Sequence, residues 1–113
     1  MAQGVQKRIN QLNQRVSQLY ERGEYKQAIP LALRIYALAR QYVGKDHPDF
    51  AAALNNLAVL YDRIGNYPQA ERLYRRALAI KRATLGETHP DVAATLNNLA
   101  VLYKAMGDYE RAE

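Results

Sequence analysis

The sequence of 113 residues contains no cysteine and no tryptophan, and its only phenylalanine is Phe50. Without cysteine the chain can form neither a disulfide nor a thiolate metal site, which is compatible with a cytoplasmic location. It also lacks a run of 18 apolar residues and an apolar amino-terminal segment. We therefore expect a cytoplasmic protein with no transmembrane helix and no signal peptide.

Residue types that carry catalysis or bind metals are scarce. Ser17 is the only serine and has no base beside it in the sequence, so nucleophilic catalysis is not indicated. The two histidines, His47 and His89, each precede a Pro-Asp pair, where a role in starting a helix is more frequent than metal binding. A phosphate-binding loop and a dinucleotide fingerprint are also missing. The sequence predicts a protein that is not an enzyme and holds no cofactor or metal.

An internal repeat dominates what is present. The octapeptide LNNLAVLY occupies residues 54–61 and returns unchanged 42 residues later, at 96–103. When residues 44–71 are aligned with residues 86–113, 18 of the 28 positions are identical. A fixed period of this size predicts units that bury their apolar faces on their neighbours. Such units stack in one dimension and offer an extended surface rather than a closed pocket.

Apolar residues recur with helical spacing inside each unit. Leu54, Leu57, Ala58 and Tyr61 follow the i, i+3, i+4, i+7 pattern of one helix face. Gly65 then offers the left-handed conformation that ends a helix. The pattern predicts helices over residues 5–21, 25–43, 48–64, 67–85 and 90–106, with a short stub over 109–113.

Three residues modify these helix boundaries. Asn66 is a residue type that caps a helix start, and Gly86 is expected to close the fourth helix. Pro30 lies about five residues inside the second helix, where it removes a hydrogen bond to the carbonyl of Lys26. We expect it to kink that helix or to displace its start.

Small and aromatic residues of the second unit stand at fixed intervals: Leu54-x2-Leu57-Ala58-x2-Tyr61, then Gly65, Tyr67 and Ala70-x3-Tyr74. This pattern resembles the tetratricopeptide repeat, and the 42-residue period is similar to that of its kinesin-light-chain-like branch. HEAT and armadillo repeats have a similar period but do not predict this residue pattern. The resemblance is strong over residues 44–113 and weaker over 12–43, where Arg15 replaces the expected leucine. It implies an all-α solenoid of antiparallel helical hairpins in a right-handed superhelical stack.

The resemblance divides the chain into repeats of a single domain, residues 1–113. The first repeat, about residues 5–43, is atypical, the second covers about 48–85, and the third, about 90–113, is truncated. Because the sequence stops where the third hairpin would continue, Leu99, Leu102 and Tyr103 are expected to lack a covering helix. We expect either a fragment of a longer array or a homodimer in which another copy covers these self-association residues.

In tetratricopeptide proteins the first helix of each hairpin lines the concave surface, which directs attention to residues flanking the leucine face. The candidate peptide-binding groove is formed by Asn13, Ser17, Tyr20, Asn55, Asn56, Val59, Arg63, Asn97, Asn98, Val101 and Lys104. A carboxamide both donates and accepts hydrogen bonds, as the main chain of an extended peptide requires.

Two alternatives within this groove stay open. The asparagines could instead bond neighbouring helices, with Asn56 and Asn98 favoured as the outward member of each pair. Tyr20 could stack on a ligand or pack against Pro30 or the adjacent loop.

The resemblance implies a non-enzymatic scaffold that binds a protein or peptide partner in its groove. One alternative is a module that only self-assembles through repeat stacking. Another is weak nucleic-acid binding, since the net charge is +5 and the fourth helix is basic. Its basic residues are Arg72, Arg75, Arg76, Lys81 and Arg82. Such a stripe is more often a solvated outer surface, so nucleic acid is the less favoured partner.

Overall fold

The computed structural model describes the backbone of residues 2–110 and the side chains of residues 4–107. These described residues form five α-helices: α1 (Ala2–Glu21), α2 (Tyr25–Tyr42), α3 (Pro48–Arg63), α4 (Tyr67–Leu85) and α5 (Pro90–Glu110). Turns of three to five residues connect them, and such short connections make consecutive helices antiparallel. The predicted all-α repeat solenoid is confirmed.

Each helix packs mainly on its neighbours along the chain: α1 on α2, α2 on α3, α3 on α4, and α4 on α5. The resulting body is elongated, with extents of 51 × 34 × 20 Å. In such a stack the core is a series of interfaces between successive helices rather than one central cluster.

Helix α3 is covered from both sides and carries the most buried part of this core. Six of its side chains are at most 2% exposed: Phe50, Ala51, Leu54, Leu57, Ala58 and Leu60. These residues occupy more than one face of the helix, as expected for a helix that packs on two neighbours.

The His-Pro-Asp turns start α3 and α5 through the histidine rings. The backbone N–H of Asp49 donates to Nδ1 of His47 at 2.9 Å, and that of Asp91 donates to Nδ1 of His89 at 3.0 Å. His47 has extended backbone geometry and precedes a proline at the first helical position. The predicted helix-start role of both histidines is confirmed.

Glycines end α3 and α4 at the predicted positions. Gly65 has φ of 85° and Gly86 has φ of 93°, both in the region that other residues rarely adopt. The N–H of Gly65 donates to the carbonyl of Asp62 at 3.0 Å, and that of Gly86 donates to the carbonyl of Arg82 at 3.2 Å. Carbonyls near each helix end are thereby satisfied.

Two expectations about helix starts are wrong, the displaced start of α2 and the capping role of Asn66, while the alternative kink at Pro30 stays a prediction. Helix α2 begins at Tyr25 and continues through Pro30, so its start is not displaced. Ala28 and Ala32 on either side are 0% and 3% exposed, and their packing holds the helix despite one lost hydrogen bond. The side chain of Asn66 makes no capping hydrogen bond. Pro68 occupies the second helical position and has no N–H for the cap to accept.

The predicted break between α5 and a stub over 109–113 is also wrong within the described residues. Helix α5 continues through Gly107 to Glu110, while residues 111–113 lie outside the described part of the chain. The equivalent turn at Gly65 is held by a following helix that packs back onto α3. The described residues include no such helix after α5.

We predict that the His47→Ala variant has a free energy of unfolding lower by about 1 kcal/mol, the usual cost of losing a helix cap. His47→Asn retains an acceptor and should lose much less. Urea unfolding followed by circular dichroism measures both. An equal loss in the two variants would show that packing of the ring, rather than its acceptor nitrogen, stabilises the turn.

Candidate functional site

Two adjoining depressions lie between α1 and α3 on one face of the stack. The first has a volume of about 180 Å³, and its walls include Ile9, Ala39 and Ala53. The second has a volume of about 290 Å³ and includes Val16 and Leu60. Together they form a continuous groove, because they share lining residues.

Five of the predicted groove residues line the second depression: Asn13, Ser17, Tyr20, Asn56 and Val59. Asn13 on α1 and Asn56 on α3 line both depressions, so two carboxamides stand at their common border. The structure thus brings together residues that are 43 positions apart in the sequence. Their role in peptide binding stays a prediction.

Tyr20 and Arg63 join α1 to α3 beside the second depression. Nε of Arg63 donates to the hydroxyl of Tyr20 at 3.0 Å, and its guanidinium carbon lies 5.7 Å from the ring centroid. This hydrogen bond raises the pKa of Arg63. The Tyr20 ring also meets the Tyr25 ring edge-on at 5.3 Å. Tyr20 therefore packs on the first residue of α2, close to the predicted loop contact.

Ionisable groups beneath this end of the groove are shifted by burial. Partial burial raises the pKa of Asp62, and the neighbouring Arg63 charge opposes the shift. Burial of Tyr74, with the Asp62 charge as a further cause, raises the pKa of that phenol to about 12. Folding thus shifts the pKa of both side chains upward, toward the neutral form.

Exposure within the asparagine pairs differs between the two helices. In α3, Asn56 is exposed and Asn55 is half-buried, with its Oδ1 atom buried and lacking a hydrogen-bond partner. In α5 the order is reversed, because Asn97 is exposed and Asn98 is half-buried. Asn98 is therefore the less exposed member of its pair, and its place in the groove stays a prediction.

The remaining predicted groove residues, Val101 and Lys104, are exposed on α5. Val101 is 58% exposed. Neither these two nor Asn97 and Asn98 line the two depressions, which are formed by residues of α1, α2 and α3. The structure does not bring the α5 residues into the same site.

The expectation that Leu99, Leu102 and Tyr103 form an uncovered face is wrong. Leu99 is 6% exposed and Leu102 is fully buried, because α4 packs on them. Tyr103 is half-buried, and its hydroxyl accepts from Arg75 Nη2 at 2.6 Å and donates to Glu71 at 2.7 Å. These three residues belong to the α4–α5 interface.

The exposed apolar residues of α5 lie on another stripe. Ala93, Leu96 and Ala100 are exposed, and they follow Ala51, Leu54 and Ala58 by one 42-residue period. Leu96 is 41% exposed whereas Leu54 is fully buried. Helix α5 packs on α4 as α3 packs on α2, but within the described residues only α3 has a second neighbour, α4, on its other side. We name Ala93, Leu96 and Ala100 the open face.

The basic residues of α4 are engaged within the chain. Arg75 forms an ion pair with Glu71 at 3.1 Å, Arg82 pairs with Glu87 at 3.2 Å, and the Arg76 guanidinium lies 5.6 Å from the Phe50 ring centroid. The stripe is therefore not a set of free cations.

Lys81 departs most from the predicted solvated stripe. It is only 9% exposed, and its Nζ donates to Oγ1 of Thr95 at 3.1 Å. Burial lowers the pKa of Lys81, while the charge of Asp91 opposes that shift. Sequence reasoning missed this buried contact. The sequence does contain one signal for burial at this position, because the residue one period earlier is the apolar Ala39.

Neither a metal cluster nor a membrane-spanning segment is found in the part of the chain that the structure describes. Those residues include no group of three or more His, Cys, Asp or Glu side chains that could hold a metal ion. Their helices are too short or too polar to cross a membrane.

Comparisons with known proteins identify the repeat type. The family model described as tetratricopeptide repeat matches residues 9–83 and 63–113. No curated protein sequence matches the chain.

Two crystal structures are similar to the chain. BtubC (BKLC) from P. vanneervenii is 29% identical to this chain in sequence, with a TM-score of 0.74. The match covers 84% of this chain and 38% of the BtubC chain. The nearly identical TPR-like repeats of a putative kinesin light chain from Podosopora anserina are 26% identical with a TM-score of 0.80, covering 89% of this chain and 48% of the other. The chain thus spans less than half the length of either.

We predict that Asp62→Asn raises the free energy of unfolding at neutral pH. In the folded chain the pKa of Asp62 lies above its ordinary value of 3.8. At pH values between 3.8 and the folded pKa, the folded chain therefore binds more protons than the unfolded chain. Stability therefore falls as pH rises through that window, and the asparagine avoids this loss. Below pH 3.8 the advantage should disappear, because both states are then protonated.

Urea unfolding at neutral and acidic pH measures this difference, with Asp46→Asn in the exposed turn before α3 as the matched control. A neutral-pH stability of Asp62→Asn at or below that of the unsubstituted chain would mean that attraction to Arg63 outweighs the burial cost.

Proposed function

The chain belongs to the tetratricopeptide repeat family, whose repeats generally mediate protein–protein interaction, and from this we propose that it is a non-enzymatic scaffold binding an extended peptide segment of a partner protein. The binding site in this proposal is the groove formed by the two depressions between α1 and α3. The observation that carries the proposal is the pair Asn13 and Asn56, which stands at the border of both depressions. A cytoplasmic location is part of the proposal and is supported by the absence of cysteine.

The dimensions of the groove suit a short extended segment. Its α1 wall runs from Gln6 to Tyr20, a length of about 21 Å at the helical rise of about 1.5 Å per residue. An extended peptide advances about 3.3 Å per residue, so roughly six residues fit along this wall. The two carboxamides can meet its main-chain N–H and C=O groups, while Val16 and Val59 contact its side chains.

The next junction offers the same pair of residue types one period later. Asn55 and Asn98 follow Asn13 and Asn56 by 42 residues. The Oδ1 atom of Asn55 is buried and has no hydrogen-bond partner, so Asn98 is the more accessible carboxamide of this second pair. In this proposal the second junction offers a parallel site for another part of the partner.

We expect the double variant Asn56→Ala/Asn98→Ala to keep its helical fold and to lose affinity for groove peptides. Each lost neutral hydrogen bond is worth about 0.5–1.5 kcal/mol, so the pair should weaken binding by about 1 kcal/mol or more. Peptides selected from a random array would be titrated against both proteins by calorimetry.

Asn66→Ala is the control, because Asn66 is exposed in a turn and its side chain caps nothing. Unchanged peptide affinity in the double variant, together with a lower melting temperature, would assign these asparagines to the fold and exclude the recognition role.

Self-assembly is the second candidate function, and the open face of α5 favours it. The other end of the stack is closed by polar side chains. Four residues of α1 stand one period before buried apolar residues of α3, and all four are exposed: Arg8, Gln11, Arg15 and Gln18. Their counterparts are Phe50, Ala53, Leu57 and Leu60. A polar outer face is typical of a terminal repeat.

This asymmetry selects one mode of self-association. Stacking the open face of one copy on α1 of another would bury Arg8 and Arg15 without partners, at a cost of several kcal/mol per charge. Two copies can instead join their open faces about a two-fold axis. The self-association candidate is thus a dimer that contacts through Leu96 rather than through the buried Leu99 and Leu102.

We predict that the chain forms a concentration-dependent dimer and that Leu96→Lys shifts it to monomer. A lysine there would oppose its own copy across the two-fold axis and leave the charge desolvated. Light scattering at several concentrations measures the mass. Leu33→Lys is the matched control, since Leu33 on α2 is 42% exposed and Leu96 is 41% exposed. A chain that stays monomeric at all concentrations, or equal effects of both substitutions, would contradict this candidate.

Nucleic-acid binding through α4 has less support than either candidate. Arg75, Arg82 and Lys81 already have partners within the chain, so a phosphate backbone would have to compete with them.

A further inference from the structure

The two junctions between successive repeats differ at one equivalent place. At the second junction, Lys81 of α4 extends into the interface and donates to Thr95 of α5. One period earlier these positions are Ala39 of α2 and Ala53 of α3. Ala39 and Ala53 line the first depression. The first junction therefore has a cavity where the second has a lysine side chain.

The cavity has room for a side chain of this size. Its volume is about 180 Å³, whereas one ordered water needs only about 10–15 Å³ on the same measure. Ile9, Ile35 and Val43 contribute apolar walls. Such walls suit the methylene stem of a lysine, which packs along apolar surface while its ammonium reaches a polar group.

The polar group at the cavity is the carboxylate of Asp49, which stands one period before Asp91. Asp91 attracts the ammonium of Lys81, and its counterpart one period earlier is Asp49. Asp49 lines the cavity, and its side chain is 67% exposed. Asn13 and Asn56 add two carboxamide oxygens at the same wall. The ammonium has three donors, which these oxygens can accept.

We propose that the first depression binds a lysine side chain of the peptide held in the groove, with the stem between α1 and α2 and the ammonium at Asp49. This inference rests on the proposed peptide-binding function and specifies its ligand. The chain itself supplies the precedent, because Lys81 occupies the equivalent space with Asp91 nearby. Acidic or short side chains at that peptide position gain neither the carboxylate nor the apolar walls.

The direct test uses Nα-acetyl-lysine N-methylamide as the probe, with the norleucine analogue as its uncharged control. Amide chemical shifts of the isotope-labelled chain are followed by NMR during each titration. We expect the lysine probe to shift amides of Asn13, Asp49 and Ala53, with an affinity about tenfold above that of norleucine. Equal affinities for the two probes, or shifts confined to other parts of the chain, would overturn the proposal.

Reciprocal variants sharpen the test. Ala39→Lys/Ala53→Thr recreates the second junction at the first and should abolish the shifts at Asp49. Lys81→Ala/Thr95→Ala recreates the first junction at the second and should produce a new set of lysine-dependent shifts at Asp91. If the first double variant fails to fold, Asp49→Asn decides, because the backbone N–H of residue 49 can still donate to Nδ1 of His47. The tenfold lysine preference should then fall to about one, and a preference that persists contradicts the assignment.

An oriented peptide library separates this inference from the broader proposal. Mixtures that differ only in one fixed residue, lysine or norleucine or glutamate, are bound to the chain. Enrichment of the lysine mixture supports the inference. Peptide binding that depends on Asn56 but not on the fixed lysine would overturn the lysine site and leave the groove proposal intact. Absence of any peptide binding would overturn both.

Discussion

The architecture depends on burying both sides of each helix between its neighbours. Phe50, Leu57 and Leu60 of α3 are at most 2% exposed, and so are Ala51, Leu54 and Ala58 on the adjacent stripe. No single hairpin can cover all of these, so its stability comes from the interfaces on either side. The same requirement accounts for the two ends. The first helix replaces the buried set with polar residues, and the last helix keeps an apolar stripe open.

The groove is a consequence of this stacking. Because successive first helices lie one period apart, residues that are 43 positions apart, such as Asn13 and Asn56, come to the border of one groove. Tyr20 and Arg63 then link α1 to α3 through a hydrogen bond of 3.0 Å. The residues of the proposed binding groove are thus placed by packed helices rather than by loops, which favours a site of fixed geometry.

The sequence predicted the fold more fully than the site. Periodicity located the helices, and the glycines located the ends of α3 and α4, because both signals are local. The exposure of a side chain depends on which helices pack beside it, and a single helix pattern does not contain that information. The sequence therefore predicts an uncovered face at Leu99 and Leu102, whereas the structure has it at Leu96. Five of the predicted groove residues line a depression, whereas those of α5 line neither, and this difference could not be read from the sequence because it depends on which helices form the walls. Lys81 looked solvated because its partner Thr95 lies on the next helix.

Repetition also makes differences between equivalent positions informative. Immediately after a unit is duplicated, its junctions have the same interface. A residue that differs at one junction can therefore be compared with its counterpart at the other junction of the same molecule. The exchange of Ala39 and Ala53 for Lys81 and Thr95 fills one interface and leaves the other hollow, while Asp49 and Asp91 are retained at both. At the second junction this carboxylate faces a charge from its own chain. At the first junction the position of that lysine is held by Ala39, so the lysine side chain of the proposed ligand would take the place that Lys81 has at the second.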